Sequence, residues 1–189
     1  MIITQENSQE YGVLETARSM CVAARTAPKT KGKDYIVTLI LTGEDKDRLA
    51  AKTEEVGWRD YGEDAVYWFV PDADAIRRGD AVVLIGAKRS FRGVPSCGFC
   101  GFADCKACAA AGGKCAYSFV DLGVAVSAAA LAASDARVDN RILWSAGKAA
   151  AEMGYLEGEI DWLAIPLSVS GKKRLFSTGG GASRSPQAK

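Results

Sequence analysis

Five cysteines fall within nineteen residues, in the run CGFCGFADCKACAAAGGKC from Cys97 to Cys115, and the chain has one other, Cys21. The spacing is C-x2-C-x4-C-x2-C-x6-C. Thiols grouped this way can pair as disulfides, coordinate zinc, or hold an iron–sulfur cluster. The opening MIITQENSQEYG lacks the basic and apolar segments of a secretory leader. That points to a cytoplasmic protein, where thiols stay reduced and a disulfide framework is disfavoured. A zinc site would use four thiolates in a tetrahedron, but the spacer GFAD is shorter than paired zinc knuckles normally have between their C-x2-C pairs.

Iron–sulfur chemistry suits the run better. Cys97 and Cys100 can clamp one edge of a cluster, with Gly98 and Gly101 leaving the backbone free to bend. Asp104 can cap a short helix, CKACAAA, which starts at Cys105 and turns its amide groups toward an anionic group. GGK then reverses the chain and returns Cys115. The C-x2-C-x2-C-x3-C-P ferredoxin pattern is absent. Cys100, Cys105 and Cys108 match C-x4-C-x2-C, but the plant-type pattern needs a further cysteine downstream and none follows Cys115. A single [4Fe-4S] cluster on four thiolates is the economical inference. One thiol is then spare. Cys105 and Cys108 lie i, i+3 on one helix face, so spacing alone leaves the choice between them open.

The chain contains no histidine, which removes the usual general base, haem through a histidine ligand, and Cys–His or Ser–His catalysis. A formal charge of +1 gives no field to gather nucleic acid or an anionic membrane. Leu122–Ser134, the longest uncharged apolar stretch, has 13 residues and is too short to span a bilayer. The 189 residues suffice for one domain, assigned to 1–176 with the cysteine-rich segment at 91–117; STGGGASRSPQAK (177–189) has the composition of a disordered tail.

The elements that must position the thiols follow from periodicity. Ser8–Ala24 reads as a helix capped by Asn7 or Ser8, and DYIVTLILTG (34–43) as a buried strand. Residues 44–57 form an amphipathic helix ended by Gly57. Residues 65–88 read as a strand, a short helix after Pro71 and a second strand ending near Gly86. Two Ala-rich helices, 116–134 and 140–153, follow as a close hairpin, the second capped by Asp139, and residues 160–170 form a last strand. Their small residues serve a tight core or, alternatively, a helical dimer interface. Strands separated by helices indicate a mixed α/β (α+β) layer fold. Asp121, near a helix start, and Asp139-Asn140-Arg141 read as structural charges rather than catalytic ones.

The string CGFCGFADC with VDLGVAVSAAALAASDARVDNRILWSAGKAAAEMG and AIPLSVSGK resembles the family of uncharacterised proteins containing a ferredoxin domain (DUF2148), over roughly 10–175. The resemblance implies the ligand set Cys97, Cys100, Cys105 and Cys115, leaving Cys108 as a buried thiol beside the cluster and Cys21 as a small core residue. A second resemblance, of AARTAPKTKGKDYIVTLILTGEDKDRLAAKTEEVG, is to the opening of flavin-dependent nitroreductases. It implies a nitroreductase-like mixed sheet packed with helices, a homodimer with the Ala-rich helices at its centre, and FMN whose phosphate Arg25 and Lys29 would bind as charge-assisted donors. Lys29 stands where those enzymes often have Ser, and their Asn and Gln after the turn are missing. The expectation is an iron–sulfur redox protein transferring single electrons, with a flavin as the coupled group; the alternative is a metal that only holds the fold.

Overall fold

In the computed structural model, residues 1–171, Arg174 and Leu175 are described. The expected tail, 177–189, lies outside them. The element order is α1 (Gln5–Thr26), β1 (Ile36–Leu41), α2 (Gly43–Tyr61), α3 (Phe69–Arg78), β2 (Ala81–Lys88), α4 (Cys105–Ala110), α5 (Ala116–Asp135), β3 (Asp139–Asn140), α6 (Trp144–Met153) and β4 (Ile160–Ser168). The strands form one sheet in the order β1-β2-β4-β3, with every pair antiparallel.

β2 is central and buried on both faces. Its alternate residues feed two separate cores: Ala81, Val83, Ile85 and Ala87 face α1 and α5, while Val82 and Leu84 face the layer of α2, α3 and α6. The result is a three-layer α+β sandwich. β1 is an edge strand with four half-buried positions, so the run 34–43 is less deeply buried than its composition implies.

Four local expectations are corrected. The cap of α1 is Thr4, whose hydroxyl accepts from the Asn7 amide at 3.3 Å, so the helix starts before Asn7 and Ser8. α2 runs through Gly57 and stops at Gly62, where φ is +54°. Gly57 is there for space: a Cβ would stand 2.4 Å from that of Phe69. Residues 65–69 are not a strand; they form a 3-10 turn, Gly62–Tyr67, leading into α3. The buried residues Ala65 and Phe69 are four apart and both pack on Gly57, a helical period that wins over the β-propensity of Tyr67 and Trp68. Pro71 falls in the first turn of α3, where a missing amide costs no helical bond.

The fourth correction concerns the Ala-rich helices. α5 and α6 are not a hairpin: they lie on opposite faces of the sheet, α5 along α1 and α6 along α2. Asp139 and Asn140 form β3 instead of a helix cap, and α6 begins after Leu143. The small residues let each helix approach its own layer. At Gly147 a Cβ would come within 1.9 Å of the Trp162 carbonyl oxygen on β4. α5, at 20 residues, is the one helix among those described that is long and apolar enough to cross a membrane; it packs along α1 and carries Asp121 within its run.

Candidate iron–sulfur site

The cysteine segment leaves the sheet at the end of β2 and returns at the start of α5. Its local geometry follows the sequence closely. Gly98 and Gly101 have φ of +54° and +82°, and the Gly101 amide donates to the Gly98 carbonyl at 2.9 Å, closing a turn between Cys97 and Cys100. Asp104 caps α4, its carboxylate accepting from the Ala107 amide at 2.7 Å. The reversal at Gly112-Gly113 is fastened by the Gly113 amide on the Cys108 carbonyl at 2.9 Å, and Cys115 then stands at the N-cap of α5.

All six cysteines are free thiols. Cys97, Cys100 and Cys105 are half-buried and line one cavity of about 290 Å³ with Val94, Pro95 and Phe102. Cys115 is buried at the neck of the segment. Cys108, one helical turn from Cys105, points inward and is 0% exposed. Its thiol donates to the Lys114 carbonyl at 3.7 Å. Gly113 folds over it so closely that a Cβ there would lie 2.8 Å from its sulfur. Burial, reinforced by the adjacent Cys100 thiol and by Cys115 and Cys105, pushes the Cys108 thiol above its ordinary value. Cys100, Cys105 and Cys115 are thus the thiols near Cys108, while Cys97 shares the cavity with Cys100 and Cys105. Cys21 lies apart, half-buried against the core of α1 and β1, where burial raises its thiol.

Among the described residues, no three Cys, Asp or Glu side chains meet closely enough to grip a single metal ion. Around one zinc, bonds of about 2.3 Å would draw all the sulfurs to within roughly 4.6 Å of each other. Three of the thiols, Cys97, Cys100 and Cys105, line the cavity, and Cys108 and Cys115 lie outside its lining.

The root of the segment is held by a buried ion pair. Arg92, 2% exposed, donates from Nε to Asp121 Oδ2 at 2.7 Å, and its guanidinium lies 4.6 Å from the Tyr35 ring centroid and against Ser90. Asp121 Oδ1 accepts from both the amide and hydroxyl of Thr30, each at 2.8 Å. One carboxylate on α5 thus joins the cysteine segment to the turn after α1. Lys31 adds a bond to the Gly93 carbonyl at 3.1 Å. Asp121 is structural, as its sequence position implies. Arg92 was not legible in sequence, because an Arg between Phe91 and Gly93 in a loop carries no periodic signal.

Arg25 and Lys29 stand at the same turn; the donors of Lys29 are committed, while the Arg25 side chain is 70% exposed. Lys29 Nζ donates to the carbonyls of Ala24, Arg25 and Ala27 at 2.8, 2.5 and 2.8 Å, capping the end of α1. Desolvation lowers its pKa, opposed by Asp34. Arg25 pairs with Asp34 at 2.9 Å. An ammonium has three protons, and all three are placed. Lys29 thus serves the end of α1, and Arg25 keeps donors turned to solvent.

Residues 111–177 match the family of uncharacterised proteins containing a ferredoxin domain (DUF2148). Over 184 residues the chain is 33% identical to an uncharacterised protein of Archaeoglobus fulgidus, covering 93% of this chain and 97% of that one. The chain belongs to the DUF2148 family. Among solved structures it is similar to a nitroreductase with bound FMN from Desulfitobacterium hafniense, with 13% identity, TM-score 0.56, and 91% and 81% of the two chains covered. A BluB-like flavoprotein from Clostridium difficile aligns with 16% identity and TM-score 0.55, over 98% and 87% of the chains. A nitroreductase family protein from Clostridium novyi aligns with 13% identity and TM-score 0.56, over 89% and 76%. The DUF2148 chain therefore has a nitroreductase-like fold, and its cysteine segment lies between β2 and α5.

Proposed function

We propose that this DUF2148 protein is an iron–sulfur redox protein in which Cys97, Cys100, Cys105 and Cys115 hold one [4Fe-4S] cluster. The observation that carries the reading is the cysteine segment itself, in which Cys97, Cys100 and Cys105 line one cavity and the buried Cys115 stands at the start of α5. When bound, the cluster supplies one-electron transfer at a potential set by its charge, burial and hydrogen bonds. The chain's own part is to fix the thiolates and limit water. The turn at Gly98–Gly101 sets the first pair, the Asp104 cap starts α4 at Cys105, and the Arg92–Asp121 pair fixes where the segment leaves the sheet. Cys108 is fully buried with its thiol on the Lys114 carbonyl and Gly113 folded over it, outside the cavity lined by Cys97, Cys100 and Cys105, which supports a packing role.

FMN, which the similar nitroreductase from Desulfitobacterium hafniense holds, is the group to which the cluster would couple, with the exposed Arg25 guanidinium as the donor left for its phosphate. A homodimer fits the outer face of α5, where Phe119, Val120, Val124 and Leu131 are exposed with no charge between them.

The test is anaerobic purification with a visible spectrum and iron, sulfide, zinc and flavin content. A brown protein that bleaches on reduction, with about four irons per chain, is the expected result. A colourless protein with one zinc overturns it and leaves a structural metal. Stoichiometric flavin beside the iron makes the protein a flavoprotein as well.

A further inference from the structure

Basic side chains crowd the cysteine segment although the chain as a whole is nearly neutral. The turn between α1 and β1 (27–35) and the run 88–115 together carry eight Lys and Arg against two Asp, which leaves the rest of the chain with sixteen basic residues against twenty-one acidic ones. The fold brings these two stretches together. The Lys88 amide donates to the Tyr35 carbonyl at 2.9 Å, and Lys31 Nζ donates at 3.1 Å to the carbonyl of Gly93, which lines the same cavity as Cys97, Cys100 and Cys105.

Some of this charge is already answered. Arg92 is buried on Asp121, Arg89 pairs with Glu159, and Lys114 pairs with Asp161. Lys31, Lys33, Lys88 and Lys106 are different: all four are exposed, and none makes an ion pair among the described residues. Lys106 lines the thiol cavity and can face a negative cluster, but Lys33 and Lys88 are not in that lining. Beside them Phe99, on the turn between Cys97 and Cys100, is 63% exposed, its ring 5.4 Å from that of Tyr117. Exposed like charges around an apolar residue suit a protein partner of opposite sign: the charges speed and orient its approach, and the apolar contact holds it. A polyanion of even charge would leave Phe99 with nothing to meet.

We propose that these lysines and Phe99 form the docking surface for a small acidic electron-carrier protein. The inference rests on the redox reading above. In the docked complex one electron passes between the carrier and the cluster; one is oxidised as the other is reduced, and no bond is made or broken.

Biolayer interferometry on the anaerobically purified full chain tests the docking, with an acidic flavodoxin and an acidic [2Fe-2S] ferredoxin as probes and the basic cytochrome c as control. At least one acidic probe binds at low salt, more tightly than cytochrome c, and weakens as salt is added. The double variant Lys33→Glu/Lys88→Glu weakens that binding about tenfold or more, chiefly through slower association, with the iron content unchanged. The same change of charge at Arg18→Glu/Arg48→Glu, on α1 and α2, leaves the binding as it was. Phe99→Ala speeds dissociation without altering the salt dependence. Circular dichroism checks that each variant is folded, and stopped-flow reduction reads the electron step separately. The two readings fail apart. A colourless zinc-bound chain that still binds an acidic probe through Lys33 and Lys88 supports the surface and overturns the redox reading. A brown chain that binds neither acidic probe, binds cytochrome c as tightly, or is unaffected by the Lys33/Lys88 change overturns the docking surface and leaves the cluster standing. Tighter binding of duplex DNA or of phosphatidylglycerol vesicles, or displacement of the probe by free FMN, assigns the lysines elsewhere and overturns it as well.

Discussion

The three-layer scaffold and the cysteine segment are ordered by different means. In the scaffold, β2 and β4 give alternate side chains to two cores, and Leu49, Phe69, Ile85 and Ile165 are 0% exposed. From Gly93 to Lys114, a stretch of twenty-two residues, the only buried residue is Cys108. Apolar burial cannot offset the conformational entropy of so long a segment, which amounts to roughly 1–2 kcal/mol for each residue's backbone. Polar ties hold its two ends: Arg92 on Asp121, Arg89 on the carbonyls of Gly112 and Gly113 at 3.1 and 3.3 Å, and Lys114 on Asp161. Between those ties the segment has its own turn and helix bonds, at Gly98–Gly101, Asp104–Ala107 and Cys108–Gly113, and on the proposed reading the cluster adds the rest. On the proposed reading, the nitroreductase-like scaffold should stand without the metal and the cysteine segment should not.

The sharpest way to break that comparison is to remove a thiol. Metal ligation can contribute on the order of 10 kcal/mol to local folding. Cys97→Ser and Cys115→Ser should therefore lose most bound iron and open residues 93–114 to protease, while far-UV circular dichroism keeps the scaffold signal. Cys108→Ser should retain its iron, since serine can still donate to the Lys114 carbonyl. Full iron in Cys115→Ser with loss in Cys108→Ser would reverse the ligand assignment.

Asp121→Asn attacks the seam between the regions. It leaves the Arg92 guanidinium buried without its counter-charge, and breaking such a pair typically costs about 3–5 kcal/mol. The expected result is a large drop in the denaturation midpoint together with faster loss of iron. Iron retention unchanged at the lower stability would mean that Asp121 serves the scaffold alone. Gly147→Ala strikes only the scaffold: the added methyl meets the Trp162 carbonyl, and overpacking of this kind costs about 1–3 kcal/mol. Stability should fall with the iron content per folded chain unchanged.

These contrasts also mark what the sequence made legible. β2 and β4 were readable because continuous apolar runs mark strands buried on two faces. The Asp104 cap and the Gly112-Gly113 reversal were readable because each is settled within a few residues of chain. The errors lie where a distant contact decides. Gly57 looked like a helix stop, yet it makes room for Phe69; Asp139 looked like a cap, yet it pairs with Ser168. The separation of α5 from α6 depends on which face of the sheet each helix meets, and no local pattern carries that. Within the site, the inward turn of Cys108 depends on Gly113 folding over it, and Arg92 acquires its role only once Asp121 arrives from α5.

The smallest effect expected separates the two regions by pH. Glu152 on α6 accepts from Arg59 at 2.6 Å and pairs with Lys52 at 3.3 Å, across the α2–α6 contact and away from the thiols. Chiefly the Arg59 bond, then Lys52, hold its carboxyl at about 2 against an ordinary 4.5, with burial opposing. A folded-state pKa below the unfolded one stabilises the fold above about 4.5 and loses that contribution as pH falls toward about 2. The side chain is 32% exposed, so solvent screening limits the contribution to less than about 1 kcal/mol. Glu152→Gln should flatten the dependence of the metal-free protein's Tm on pH across that window, and added salt should shrink the difference from the parent chain. Iron release from the loaded protein should follow the same pH course in both. A steeper release in Glu152→Gln would show that the charged α2–α6 seam reaches the cysteine segment, and that the two regions are coupled more tightly than their packing indicates.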